Sequence, residues 1–358
     1  MIHRNSLLIG LIVGSIVAVI LYFFVLERPA DAAESQNREL TAESVEGPEL
    51  LFPVECIIGK DCWYMAHVDL DSGESYRDYM CGIRTYDAHK GTDIAPDRDS
   101  ERKLVVRAAA AGRVVGPRDA LVDIPMEAPE APRDDARCGN GVRLEHKNGW
   151  TTQYCHLAKG SVAVRSGDAV KPGQRLGEIG SSGWSELPHL HFQLERNGVP
   201  FDPFVGARAA SGSDCDIRKQ AGSGFWNDGA ANNAISYQPA QIVRMGLTTA
   251  VPDRESAKFH EYPERGPRDA GALVAFVVLF GVPEGTLIET EIDGPAGQTV
   301  FSGQRTIEEP QVEYFSYAGR KRRGANWPAG LYTARIAVSG MAPSGPFRVS
   351  EQTDLILQ

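Results

Sequence analysis

Five side chains in three short segments have the types and spacing of a metal-dependent hydrolase: His89 and Asp93 in HKGTDIA, His156 in YCHL, and His189 with His191 in PHLHFQL. Four of the chain's eight histidines fall there. Imidazole nitrogen and carboxylate oxygen are both zinc ligands, and a catalytic zinc site usually takes three protein ligands and keeps a fourth position for water. Two histidines and one aspartate fill that quota. Two imidazoles left over suit hydrolysis, because zinc lowers the pKa of its water toward about 7 and the remaining pair can handle protons and charge.

Strand geometry brings these groups together. Residues i and i+2 of a strand share a face, so His189 and His191 are predicted to project together while Leu190, Phe192 and Leu194 turn to the core. Gly91, between His89 and Asp93, is expected to let the chain bend until carboxylate and imidazole meet. TTQYCHL also reads as a strand. Alternation along it predicts Tyr154 and His156 on one face, with a possible hydroxyl contact from Tyr154, and Cys155 facing the packing. His146 ends a predicted strand ahead of an Asn-Gly turn and is read as structural.

The stretch from about Tyr79 to Phe204 resembles the lysostaphin-type (LytM-like) zinc endopeptidases. The resemblance rests on HKGTDIA, AAAAGRVV, GNGVRLEHKNGWTTQYCHL, GDAVKPGQRLGEIGSSGWSELPHLHFQL and NGVPFDPF, in that order. It implies that His89, Asp93 and His191 bind one Zn2+ per chain and that His156 and His189 are catalytic. It further implies a compact antiparallel β domain with the metal at the floor of a groove, and peptidoglycan stem or cross-bridge peptides as substrate. Three departures stand out: an acidic, proline-containing insertion at 117–137, expected as a loop or lid beside the groove; Glu186-Leu187, where the family favours small residues; and Gln193, where an acid is common.

Around this core the sequence predicts an all-β chain. Residues 1–33 form a signal-anchor segment: Leu7 to Leu26 carries no charge, and twenty residues at about 1.5 Å each span about 30 Å of hydrocarbon. A retained transmembrane anchor is favoured over a cleaved signal peptide, for which Ala30-Asp31-Ala32 offers a small-residue site. Residues 34–75 are read as spacer and extension, 76–206 as the metallopeptidase, 207–235 as linker, and 236–358 as an immunoglobulin-like β-sandwich. The last is predicted from short β-rich runs between Gly and Pro turns.

Six cysteines in an exported chain predict disulfides, with Cys56 and Cys62 the easiest local pair; the other connectivities stay open. The expected place is the cell envelope, outside the cytoplasm and anchored to the inner membrane. With 47 acidic against 37 basic residues and no basic cluster interleaved with aromatics, nucleic acid is not an expected partner. Arg320 to Arg323 is expected at a loop tip, and the sandwich is read as a surface for a protein partner. Two rivals to the enzyme are a catalytically silent wall-binding scaffold or hydrolase activator, and a lipoyl-type carrier module, which the hairpin-like GDAVKPGQRLGEIG resembles. Five intact positions count against the scaffold, and export with the histidine set counts against the carrier.

Overall fold

The computed structural model describes residues 46–97, 103–124, 136–212, 215, 224–227, 237–259 and 261–358. The apolar run Leu7 to Leu26, the middle of the acidic insertion and His260 lie outside the described residues. Among the described residues, no helix is long and apolar enough to cross a membrane.

An eight-stranded antiparallel sheet carries the candidate chemistry. Its members are β1 (Cys62–Ala66), β2 (Thr92–Pro96), β4 (Gly112–Arg118), β5 (Asn140–Glu145), β6 (Trp150–Leu157), β7 (Ala169–Val170), β9 (Leu190–Arg196) and β10 (Val199–Phe201). They run in the order β1-β2-β9-β6-β5-β4-β7, with β10 also on β9. β1 comes from the stretch read as an extension and pairs with β2, Tyr64 opposite Ile94. β5 and β6 form a hairpin whose turn puts Asn148 at φ 58° and Gly149 at φ 76°, the left-handed pair that an Asn-Gly hairpin turn requires. Beside this sheet, β3 (Val105–Arg107) pairs with β8 (Arg175–Glu178).

Alternation along β9 sorts its two faces. Leu190, Phe192 and Leu194 are at most 1 % exposed and join a core with Ile94, Val142, Leu144 and Tyr154. His191, Gln193 and Glu195 occupy the other face.

The carboxy-terminal strands form two further sheets. One holds β11 (Gln241–Thr248), β13 (Ala272–Val282) and β16 (Gln311–Lys321). The other runs β12-β18-β17-β14-β15, from β12 (Arg265–Gly266), β14 (Leu287–Asp293), β15 (Thr299–Thr306), β17 (Gly330–Ala342) and β18 (Gly345–Leu357). The β-rich runs read in the sequence form β13 to β18. Leu273, Ala275, Val277 and Leu279 of β13 share a core with Ile288, Ile292, Tyr332, Ile336 and Leu355 of the opposing sheet, so the pair is a sandwich. Arg320 and Lys321 lie within β16 rather than at a loop tip, and Arg320 donates to the Val300 carbonyl.

The other face of β13 is buried too. Phe276, Val278 and Phe280 pack against Trp63 of β1, Ala95 of β2, Leu187, and Ala257 of the short helix α1 (Arg254–Phe259). The eight-stranded sheet and the sandwich thus share an apolar seam inside one compact unit, Gly47–Gln358.

Three disulfides join Cys56 to Cys62, Cys81 to Cys215 and Cys138 to Cys155, and no described cysteine is free. The local pair expected from the sequence is among them.

Candidate metal centre

Register brings the first three residues together. Asp93 of β2 stands directly opposite His191 of β9, so carboxylate and imidazole lie side by side on one face. His89 reaches them from the loop before β2. His191 Nδ1 lies 2.8 Å from Asp93 Oδ1, His89 Nε2 lies 3.2 Å from Asp93 Oδ2, and the two imidazole nitrogens are 3.2 Å apart.

Gly91 makes this approach possible for a reason other than the bend expected from the sequence. Its φ is not among the positive ones. A Cβ there would lie 2.6 Å from His191 Cε1 and 2.7 Å from the Phe192 carbonyl oxygen. Glycine is needed because the His191 ring rests on its backbone.

His156 and His189 complete the cluster. Their ring centroids are 4.6 Å apart, His156 is 6.1 Å from the His191 ring, and His189 Nε2 lies 3.8 Å from Asp93 Oδ1. Strict alternation in β6 would have sent His156 and Cys155 to opposite faces. Instead His156 adopts φ 64°, a left-handed conformation uncommon for a side-chain-bearing residue and frequent at functional sites. Its N–H donates to Cys138 O and its carbonyl accepts from Gly180 N. Cys155, opposite His191, is tied to Cys138, so a disulfide anchors the chain one residue before the turned histidine.

The expected pairing of Tyr154 with His156 is therefore overturned. Tyr154 faces the core, opposite Phe192, and its hydroxyl accepts from Ala109 N at 2.8 Å and from Thr152 Oγ1 at 3.1 Å. Cys155 is buried, 2 % exposed, as read, and is bonded there to Cys138. His146 is structural as read: it donates from Nδ1 to Ala111 O at 2.7 Å, and Nε2 lies 2.8 Å from Thr152 Oγ1.

Each of the four central imidazoles has an oxygen acceptor at its outer nitrogen. His89 Nδ1 donates to His67 O at 2.6 Å, His156 Nδ1 to Ser182 O at 2.8 Å, His189 Nδ1 to Leu187 O at 2.7 Å, and His191 Nε2 to Gln193 Oε1 at 3.2 Å. A carbonyl accepts only, so the ring proton sits on the outer nitrogen and the inner nitrogen presents a lone pair. His191 is the exception, because its inner nitrogen lies 2.8 Å from Asp93 Oδ1, which also only accepts, so without a cation that nitrogen can carry a proton and donate to Asp93. A cation held among His89 Nε2, His191 Nδ1 and Asp93, all within 3.2 Å of each other, would take the place of that proton.

The donor set fits such a cation. A tetrahedral ion with bonds of about 2.0–2.1 Å separates its ligands by about 3.3–3.4 Å, close to the distances here, and His89, Asp93 and His191 form the metal-capable group among the described residues. Its second layer is built: Gln193 Nε2 donates to Glu195 Oε1 at 2.5 Å, and Arg143 donates to Glu195 Oε2 at 2.6 Å. Gln193 thus supplies, through its amide oxygen, the acceptor that fixes the ring of His191.

At His191 burial lowers the pKa, but the charge and hydrogen bond of Asp93 outweigh it and His191 is raised; at two other imidazoles burial dominates. It pushes His156 down to about 3, helped by His189 and His191, and it also lowers His189. For Asp93 burial acts upward, but the charges of His89, His189 and His191 outweigh it and hold the carboxyl well below its usual range. Burial thus favours the neutral form of His156 and His189, while the surrounding imidazoles favour the ionised form of Asp93.

Sequence reasoning missed three backbone carbonyls, those of His67, Ser182 and Leu187, because any residue type supplies a carbonyl. It also missed Tyr86, whose ring stacks on His89 at 4.3 Å. The described flanks of the insertion lie close by: Asp123 bridges Ser182, and Leu121 N donates to Asn140 Oδ1.

Residues 87–203 match the family model for peptidase family M23. Among curated relatives, peptidoglycan DD-endopeptidase ShyA of Vibrio cholerae is 40 % identical over 68 residues, 19 % of this chain and 15 % of that protein. Glycyl-glycine endopeptidase ALE-1 of Staphylococcus capitis is 36 % identical over 143 residues, 38 % of each chain. The chain thus spans well under half the length of either relative. Among solved structures, the catalytic domain of the antimicrobial peptidase lysostaphin from Staphylococcus simulans aligns with 30 % identity and a TM-score of 0.24, covering 32 % of this chain and 76 % of that one.

Proposed function

We propose that the chain, whose residues 87–203 match the family model for peptidase family M23, is a zinc-dependent endopeptidase hydrolysing peptide bonds of peptidoglycan. The observation that carries the reading is the convergence of His89 Nε2, Asp93 and His191 Nδ1, with the inner nitrogens of two more neutral histidines beside them. In this reading the first three residues hold Zn2+. When bound, zinc polarises a carbonyl and lowers the pKa of water toward about 7.

The residues of this chain do the rest. His156 and His189, neutral because they are buried, each offer a lone pair that can take a proton from the attacking water and return it to the leaving amine. Once protonated, either imidazole donates to the oxyanion that develops on the scissile carbonyl. The carbonyls of Ser182 and Leu187 hold both rings in the tautomer this requires. Tyr86, half exposed over His89, supplies an aromatic wall for the peptide. We assign this chemistry to residues 76–206, the sandwich of 236–358 to support, and the whole to the extracytoplasmic side of the cell envelope. Three disulfides suit that oxidising compartment, and the apolar run Leu7 to Leu26 is assigned as the membrane anchor.

Digestion of purified peptidoglycan by the full chain tests the reading, with mass analysis of the fragments. New free amines that appear with zinc and vanish with chelator or in His89→Ala are expected. Wall binding without new amines under zinc-replete conditions would replace the enzyme by a scaffold.

A further inference from the structure

The turn Ser185 to Pro188 is the last segment before His189, and it touches two different parts of the molecule. On one side it makes hydrogen bonds to the candidate site. The Leu187 carbonyl accepts from His189 Nδ1 at 2.7 Å and from Ser185 Oγ, also at 2.7 Å, and Ser185 Oγ is 3.2 Å from the same His189 nitrogen. On the other side the turn is gripped by the sandwich. The Leu187 side chain is 9 % exposed and packs in the seam with Phe276, Val278 and Phe280 of β13 and Trp63 of β1. Its neighbour Glu186 accepts from Lys258 Nζ of α1 at 2.5 Å, and Lys258 is held in turn by Glu313 of β16 at 2.6 Å. The Lys258 and Glu313 side chains are only 9 % and 10 % exposed, so this pairing is shielded from the screening that makes surface ion pairs weak.

We propose that the carboxy-terminal sandwich positions the proton-handling imidazole: Lys258 and the apolar face of β13 clamp Glu186 and Leu187, and the clamped Leu187 carbonyl fixes the ring and tautomer of His189. The inference rests on the catalytic role proposed above for His189. Glu186 and Leu187 are the very residues at which this chain departs from the small residues its resemblance leads one to expect. A small-residue turn would give the sandwich nothing to hold. With a charged and a branched apolar side chain there, the sandwich becomes a wall of the site, and Leu187 and Lys258 become positioning residues without touching substrate. Displacing a catalytic group by about 1 Å costs up to about 100-fold in rate, so even a small relaxation of the turn is measurable.

The test compares Leu187→Ala and Lys258→Met with the conservative Leu187→Met and Lys258→Arg, all in the full chain loaded with zinc. Three quantities are read: zinc per chain, kcat and KM on peptidoglycan peptides, and the His189 tautomer from long-range proton–nitrogen NMR correlations. In the two disruptive variants kcat is expected to fall about tenfold or more, with KM and zinc content unchanged and the Nδ1–H signal of His189 lost. The conservative variants are expected to restore both kcat and signal. Lys258→Met leaves the apolar contacts in place and carries the test if Leu187→Ala does not fold. An unaltered kcat with an intact Nδ1–H signal in Lys258→Met, or a rise in KM alone, overturns the clamp. If the wild-type chain cuts no peptide, the catalytic reading fails by itself, and the NMR signal still decides whether the sandwich holds His189.

Discussion

Replacing Gly91 by alanine adds one methyl group and is expected to dismantle the metal centre. The backbone at Gly91 is not in the left-handed region, so alanine meets no conformational penalty there and any effect comes from contact. The new Cβ would lie 2.6 Å from His191 Cε1, 2.7 Å from His191 Nε2 and 2.7 Å from the Phe192 carbonyl oxygen. Carbon atoms rest at about 3.5–4.0 Å, so the overlap is about 0.9 Å. Phe192 cannot yield, because Thr92 and Phe192 are paired in the β2–β9 ladder. The His191 ring must therefore move, although Gln193 and Asp93 hold its two nitrogens. Metal–ligand distances tolerate about 0.2 Å. A shift several times larger removes His191 from the ligand set, and a loss of at least about 100-fold in zinc affinity follows, about 2.7 kcal/mol. Competition against a chromophoric chelator measures it. Gly271→Ala is the control, since a Cβ there meets nothing within 4 Å and φ is not positive. Zinc affinity within threefold of wild type in Gly91→Ala would refute the reasoning, and with it the claim that His191 is a ligand held by close packing on β2.

Three further outcomes are expected. His156→Ala should keep its zinc while kcat falls about 10²- to 10⁴-fold; metal analysis and kinetics on the same sample separate this from a ligand loss. Acid should destabilise the chelated protein through His156: its folded pKa is about 3 against about 6.5 unfolded, so the unfolded chain takes up the proton first, and the stability present above about pH 6.5 is lost as pH falls toward about 3, roughly 2 kcal/mol of it by pH 5. Urea titrations at stepped pH read that slope, which should flatten in His156→Gln; a wild-type profile already flat from pH 7 to 4 would contradict it. Finally, Cys138→Ser with Cys155→Ser opens a link spanning 17 residues, for which about 3 kcal/mol of stability is expected to go, and kcat should drop because His156 loses the anchor for its left-handed backbone; calorimetry and kinetics check the two parts.

The histidines were legible because their chemistry is carried by side-chain type and their placement by the period of a strand. Leu190, Phe192 and Leu194 had to face inward, so His191 had to face outward, and the register of β2 against β9 then delivered Asp93. Where the strand period fails, the sequence reading failed with it. His156 takes a left-handed conformation that its residue type does not announce, so the alternation that paired it with Tyr154 broke at that position. Gly91 was recognised as necessary but for the wrong cause, since a bend and a close approach both call for glycine. The carbonyls that orient the rings leave no trace in the sequence at all.

The apolar run at residues 272–282 shows what such a reading can carry further. A strand of a sandwich with one face in solvent should alternate apolar with polar residues. ALVAFVVLFGV does not alternate, and ten of its eleven residues are buried. A run without polar interruption in an antiparallel sheet requires a second covering surface. Here that surface is the eight-stranded sheet and the turn before β9, through Trp63, Ala95 and Leu187, with Trp63 set edge-on to Phe280 at 5.1 Å between centroids. Fully burying each such side chain is worth about 1.5–3 kcal/mol, so separating the two parts would expose Phe276, Val278 and Phe280 together and cost several kcal/mol. The sandwich is consequently not a free appendage on a tether. Its inner face makes its own core, and its outer face supports the turn that carries His189.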